Sequence, residues 1–312
     1  MVNTDKKTIS IVIPFYNEEN NLPKLYEELI DVLSDDMNWE ILLIDDGSSD
    51  NSWENIKSLH EKDPRIRGIR FSRNFGHQNA LYAGFSYSRG DAVISMDSDL
   101  QHPPIVIPEL IREWEKGYKI VHTVRKDTES ISIMKKLTSL AFYKLFTWLS
   151  GVEISAGMAD FRLLDKQVVD VLLKSQESGV FLRGLVQWVG FPSTKVVFQC
   201  RDRYSGQSKY TFYKMVKFAW RGITSFSIIP LRIGIMMGLF TSLFAFYILA
   251  DALFTKLFTD KAVPGWASLI GVVSLLFGVL FILIGLLGEY IGKVLIQVRG
   301  RPLYIVSEKI DT

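Results

Sequence analysis

Cysteine is almost missing from this chain. Cys200 stands alone among 312 residues, which excludes an intrachain disulfide framework and a thiolate zinc cluster. A strong charge of one sign is missing too. Lys and Arg number 36 against 34 Asp and Glu, a formal net charge of +2; that argues against a protein built to coat nucleic acid, and no nucleic-acid partner is expected. Neither G-x-G-x-x-G nor G-x-x-x-x-G-K-[ST] occurs, so the usual dinucleotide and P-loop fingerprints are absent. The opening MVNTDKKTIS has no apolar run; no cleaved signal peptide is expected, and the N-terminal part is expected to stay in the cytosol.

What is present falls into two unlike parts. In the first, β-branched runs alternate with helical periodicity. Thr8–Ile13, Glu40–Ile44, Ile66–Phe71 and Ala92–Met96 read as strands buried on both faces, and Glu18–Leu33 and His77–Ser88 read as helices between them. Such alternation predicts βαβ units and a mostly parallel, Rossmann-like α/β sheet. Asn17-Glu18, Asp45-Asp46 and Asp97-Ser98-Asp99 each follow an expected strand. Ligands of open α/β sheets bind outside the carboxyl ends of the strands, so these polar groups should gather at one rim.

The last third differs. Ile233–Leu249 carries no charge between Arg232 and Asp251, and Trp266–Gly288 carries none before Glu289. A bilayer core of about 30 Å takes roughly 20 apolar residues in a helix, so two transmembrane helices are expected, near 229–254 and 266–290, within 226–292. Lys209, Lys214, Lys217, Arg221 and Arg232 precede the first; Lys293, Arg299, Arg301 and Lys309 follow the second. The positive-inside rule then places both termini in the cytoplasm. Residues 131–149 and 210–225 mix Lys or Arg with Phe, Trp and Met at helical spacing, the pattern of amphipathic helices lying on an anionic bilayer; taken singly, each also reads as a core-facing helix with solvated lysines. The expected organisation is a cytosolic domain over 1–209, an interfacial helix over 210–225, the hairpin, and a cytosolic tail over 293–312.

Individually the polar motifs are ambiguous. Asp97-Ser98-Asp99 can hold a hard divalent cation against a diphosphate, or be a polar turn. Asp45-Asp46-Gly47 can accept a nucleobase N–H, or simply turn. Asn17-Glu18 can start a helix. His102 reads as a loop histidine more than a metal ligand. The loop Arg201–Lys209 is basic and leads into an expected interfacial helix, a good place to hold a phosphate near a bilayer, or a solvated linker.

In order along the chain, Pro14-Phe15-Tyr16-Asn17-Glu18-Glu19, Asp45-Asp46-Gly47-Ser48-Ser49-Asp50, Ser72-Arg73-Asn74-Phe75-Gly76, Asp97-Ser98-Asp99-Leu100-Gln101 and Ala159-Asp160-Phe161-Arg162 resemble the motifs of GT-A fold, family 2 glycosyltransferases. The polyprenyl-phosphate branch, which includes bactoprenol glucosyltransferases and dolichol-phosphate mannose synthase, is the most similar. The resemblance implies that Pro14, Tyr16, Glu18 and Asp46 line the nucleobase and ribose pocket, with Arg125 near the donor. It implies that Asp97 and Asp99, with Gln101, bind Mg²⁺ or Mn²⁺ on the diphosphate. Asp160 takes the family's base position. Arg162, Arg201, Arg203 and Lys209 are implied to hold acceptor or donor phosphates. The implied partners are a nucleotide-sugar, with UDP-glucose favoured over GDP-mannose on overall similarity alone, a polyprenyl phosphate, the lipid bilayer of a bacterial-type inner membrane, and a second copy of the chain as an open option. The Q-x-x-R-W motif of processive synthases is absent, which points to transfer of one sugar. Two readings from other classes stand beside this one. A transporter or flippase is disfavoured because neither apolar span has an ionisable residue near its middle. A catalytically dead nucleotide-binding anchor is disfavoured by the presence of Asp97, Asp99 and Asp160.

Overall fold

The strand β1 (Thr8–Phe15) is buried at every residue after Thr8. It has parallel neighbours on both sides, β2 (Asn38–Asp45) and β4 (Ala92–Ser95), so both its faces need apolar side chains and its sequence shows no polar alternation. This computed structural model describes residues 7–33, 37–126, 144, 147–149, 158–175, 181–201, 223–224, 227–258 and 265–311. Beyond β2 lies β3 (Ile66–Phe71), also parallel. On the far side of β4 come β6 (Met158–Asp165) and β5 (Ile120–Arg125), in antiparallel pairings, then β7 (Ser193–Phe198), parallel to β5. With β8 (Val306–Ile310) antiparallel to β3, the order is β7-β5-β6-β4-β1-β2-β3-β8.

Helices cover both faces. Ile9, Ile11 and Ile13 pack with Leu22, Leu25 and Leu29 of α1 (Leu22–Val32), Trp53 and Ile56 of α2 (Ser52–Lys62), and Leu110 and Trp114 of α4 (Ile107–Glu115). Val12, pointing the other way, packs with Leu81 and Phe85 of α3 (His77–Tyr87), Leu172 of α5 (Lys166–Lys174) and Leu185 of α6 (Leu182–Trp188). The chain steps outward from β1 to β2 and β3, then returns to place β4 on the other side of β1. That reversal opens the crevice in which such sheets bind ligands, and the loops after β1, β2 and β4 all border it.

The expected first helix, Glu18–Leu33, begins late. Asn17 adopts a left-handed backbone, φ 57°, and Glu18–Asn21 closes a turn through the Asn21 amide and the Glu18 carbonyl. Pro23 then sits in the first helical turn, where its missing N–H costs nothing.

Two long helices follow: α7 (Ile229–Phe258) and α8 (Trp266–Val298). At 1.5 Å per residue each is about 45 Å long or more. Both are long and apolar enough to cross a membrane, and 6% or less of their most apolar windows is buried against protein. Gly234 lets them approach: a Cβ there would lie 2.5 Å from Leu283 of α8. Further along α8, the Tyr290 hydroxyl donates to the Ser227 carbonyl at 2.7 Å, and Lys293 bonds Thr224. Of the two expected interfacial helices, 131–149 and 210–225, nearly all lies outside the described residues.

The expected C-terminal tail, 293–312, contains the end of α8 and the strand β8. After α8 the chain returns to the sheet, and β8 covers the edge of β3. Tyr304 stacks on Phe71 with ring centroids 5.0 Å apart. Asp311 pairs with the buried Arg67 at 2.7 Å, and Arg67 also holds Glu40 at 2.7 Å.

Candidate active site

Asp97 and Asp99 lie just beyond β4, at the crevice. The Asp97 carboxylate has His77 Nε2 at 3.5 Å from one oxygen and His102 Nδ1 at 3.6 Å from the other. The His102 ring is fully buried, stacked on Phe161, and its Nδ1 accepts the backbone N–H of Asp97 at 3.0 Å. Burial lowers its pKa, with Arg125 at the end of β5 adding to the effect, so it is neutral and shapes the loop. Asp99 Oδ1 accepts the backbone N–H of Gln101 at 3.1 Å. The carbonyl of Gln101 accepts the Arg201 amide, which brings the end of the β7 segment against the Asp97–Gln101 loop.

Next to β4, β6 delivers Asp160. The Ser95 hydroxyl donates to its carbonyl at 2.6 Å and fixes the start of the strand. The carboxylate is 7% exposed and meets three basic side chains: Arg162 at 2.7 Å, Arg183 at 2.9 Å and His77 at 3.6 Å. Burial alone would raise its pKa, but Arg183, His77 and Arg162 together hold it well below the usual carboxylate range. His77 shows the converse. Desolvation opposes its charge, yet the Asp160 and Asp97 carboxylates raise its pKa. His77 thus links the two expected acidic residues, with the cationic end of α6 beside it.

On the other side of the crevice the loops after β1 and β2 form one hydrogen-bonded unit. The Asn17 amide donates to Ser48 Oγ at 2.9 Å, and the Ser49 amide donates to Asn17 Oδ1 at 2.9 Å. Tyr16 stands 47% exposed beside them. Pro14 is buried in β1, opposite Ile44, and Glu18 accepts from the Asn21 side chain.

Several expected site residues have protein partners in this structure. The carboxylate of Asp46, expected to line the nucleobase and ribose pocket, accepts the amides of Phe75, at 2.7 Å, and Gly76, at 2.9 Å, and so holds the 72–76 loop. Burial raises its pKa against those two bonds. Arg162 was expected on a phosphate, but its buried guanidinium holds Asp160 and the Ala159 carbonyl. Arg201 was also expected on a phosphate; it pairs with Glu28 of α1 at 2.7 Å. Asp160, surrounded by cations, is a poor base, because a carboxylate held so low has little affinity for a proton. Arg203 and Lys209 lie outside the described residues. Sequence reasoning missed His77 and Arg183. His77 directly follows the Ser72–Gly76 motif, which was a usable signal; Arg183 sits in a short helix with no motif around it.

Gly47 makes the β2 loop possible. Its φ is 75°, and a Cβ there would lie 2.5 Å from the Arg73 carbonyl carbon. Gly47→Ala is therefore expected to cost about 1–3 kcal/mol through left-handed strain and to push the 72–76 loop away. Thermal unfolding in detergent checks this; an unchanged Tm would overturn it.

The donor set fits a divalent cation in one particular way. Among the described residues no group of three or more His, Cys, Asp or Glu could hold a metal, so these residues offer no cage. Asp97 and Asp99 offer two carboxylates at a rim, which suits a hard cation completed by phosphate oxygens and water.

The chain is similar to several known proteins. A glycosyltransferase of Bacillus subtilis, YkcC, described as uncharacterised, is 40% identical over 96% of this chain and 93% of its own length. The bactoprenol glucosyl transferase of Shigella phage SfV is 37% identical over 96% and 98%. Among solved structures, glucosyl-3-phosphoglycerate synthase from Mycobacterium tuberculosis, crystallised with Mn²⁺, uridine diphosphate and phosphoglyceric acid, is 17% identical, covers 70% of this chain and 76% of that one, and superposes with a TM-score of 0.48. The family model named "Glycosyl transferase family 2" matches residues 10–172, from β1 through α5 and across the whole crevice, and the chain belongs to that family.

Proposed function

We propose that this chain transfers a single sugar, glucose from UDP-glucose, onto a polyprenyl phosphate at the cytosolic face of a bacterial inner membrane. The observation that carries the reading is the crevice itself: a carboxylate pair at the end of β4 next to a cation cluster built on Asp160, on a chain that continues into two helices able to cross a membrane. The name of the phage relative supports the polyprenyl acceptor and glucose.

The chemistry is a displacement. An acceptor phosphate oxygen attacks the anomeric carbon, that carbon's bond to the diphosphate oxygen breaks, and the nucleoside diphosphate leaves with the bonding electrons. Asp97 and Asp99 would hold Mg²⁺ or Mn²⁺, which would supply neutralisation of the charge that builds on the leaving group. A phosphate monoester has its second pKa at about 6, so the acceptor is largely a dianion at neutral pH and needs no strong base. Asp160 suits that requirement. It fixes His77 and Arg183 at the crevice, where their charge faces incoming phosphates. Tyr16 lies where a nucleobase can stack.

Incubating the protein with a panel of nucleotide-sugars and polyprenyl phosphate tests the assignment; glucose from UDP-glucose should enter the lipid fraction. Sugar appearing only on a water-soluble acceptor would overturn it. Topology gives a second expectation. Cysteine labelling at Asp260-Lys261 should find that loop on the side of the membrane opposite the N-terminus. Both on one side would refute a two-span hairpin.

A further inference from the structure

We propose that Glu308, on the strand that follows the second apolar helix, is a positioning residue for the nucleotide-sugar, acting through Arg70 on the loops that bind the nucleoside. Glu308 lies far outside residues 10–172, the part matched by the family model. In the β3–β8 ladder it stands directly opposite Arg70. One carboxylate oxygen meets Arg70 Nη1 at 3.1 Å, and the other accepts the Trp53 indole N–H at 2.9 Å. Arg70 is thereby held from behind, and its remaining donors point into the crevice loops. Nη2 donates to the Ser48 carbonyl at 3.2 Å, and Nε lies 3.4 Å from Asp45 Oδ2.

Asp45 is the reason this contact matters. Its side chain is fully buried, and Oδ2 has no hydrogen-bond partner among the described residues. Its other oxygen accepts the Ser48 amide at 2.7 Å, and Ser48 Oγ accepts the amide of Asn17. A buried carboxylate with one unbonded oxygen depends on a nearby positive charge to stay in place, and Arg70 supplies it. The sequence of contacts runs from Glu308 to Arg70, to Asp45 and Ser48, and to Asn17 beside Tyr16. Asn17 keeps its left-handed backbone only while its neighbours hold it there. The described contacts of Glu308 are with Arg70 and Trp53, and of these two side chains Arg70 is the one that reaches Asp45 and the Ser48 carbonyl.

The inference rests on the reading above that the loops after β1 and β2 take the nucleoside. The test uses the full chain, with UDP-glucose and polyprenyl phosphate varied separately. Glu308→Ala is expected to raise KM for UDP-glucose by about fivefold or more, with kcat and the KM for the lipid within about twofold of the parent. Glu308→Gln keeps an oxygen for Arg70 and should recover at least half of that loss. A residue that merely braced the fold would lower Tm and kcat and leave donor KM alone, and that result overturns the proposal. Tyr16→Ala separates the two layers of the argument. If Tyr16→Ala raises donor KM and Glu308→Ala does not, the coupling is wrong and the pocket stands. If neither moves donor KM, the pocket assignment fails and the coupling with it.

Discussion

Asp99→Ala is expected to lower sugar transfer by at least about a hundredfold, the ~2.7 kcal/mol or more that loss of one charge-stabilising group costs a reaction of this type. Asp99 stands at the rim after β4. One of its hydrogen bonds closes a local turn to Gln101, and a carboxylate at the rim contributes little to packing, so Tm should hardly change. Chelation should act in the same way, because the two carboxylates make no cage and the cation must be recruited together with the diphosphate. Transfer assayed with excess EDTA, then with Mg²⁺ restored, decides the matter. Undiminished turnover in EDTA would remove the metal from the mechanism and leave Asp97 and Asp99 as hydrogen-bond acceptors only.

Asp160→Ala should be the most damaging single change to the fold's active end. It removes the carboxylate from Arg162, which is 4% exposed and whose described side-chain contacts are Asp160 and the Ala159 carbonyl. Stranding a buried charge costs about 3–5 kcal/mol. Asp160→Asn keeps the shape and one acceptor, so it should unfold at a higher temperature than the alanine variant while still losing most activity, since His77 and Arg183 lose their counter-charge. The pH dependence has a definite sign. A carboxyl whose folded pKa lies below its unfolded value contributes stability in full above the ordinary carboxylate range, near 3.9, and loses it as the pH falls from there toward the folded value. The same depressed pKa keeps Asp160 ionised throughout neutral pH. The pH profile of kcat should therefore show no limb that Asp160→Asn removes; such a limb would restore the residue to the role of base.

The sheet was legible where its strands were buried on both faces. Ile66–Phe71 has the expected bounds, and the strands of residues 8, 40 and 92 differ by only a few residues at their ends, because Val and Ile runs bounded by Asp and Pro leave little choice. The carboxylates after β1, β2 and β4 were legible as a group for the same reason: one topology places all three loops at one rim. Their individual partners were not. Asp46 and Arg162 carry the right charge for a ligand, but the backbone amides of Phe75 and Gly76 and the carboxylate of Asp160 reach them first, and no local pattern announces contacts formed across the sheet. β8 was illegible for a further reason. Val306–Ile310 places three polar residues, Ser307, Glu308 and Lys309, between two apolar ends and is largely exposed, as an edge strand should be; only the open edge of β3, fixed by residues far away in sequence, selects it.

That last strand also sets an order of events during synthesis. β3 ends at Phe71 and its partner begins at Val306. At roughly 5–20 residues per second, the ribosome needs on the order of 10–50 s to reach the partner, and in that interval it must release both long apolar helices. Until then the edge of β3 has unpaired N–H and C=O groups, the kind of surface that recruits stray strands. The sheet therefore cannot be completed before both long helices have been made. A chain that stalls or is cleaved before Val306 leaves behind a nascent protein with an open, aggregation-prone edge, even though every residue from 10 to 172 is already present.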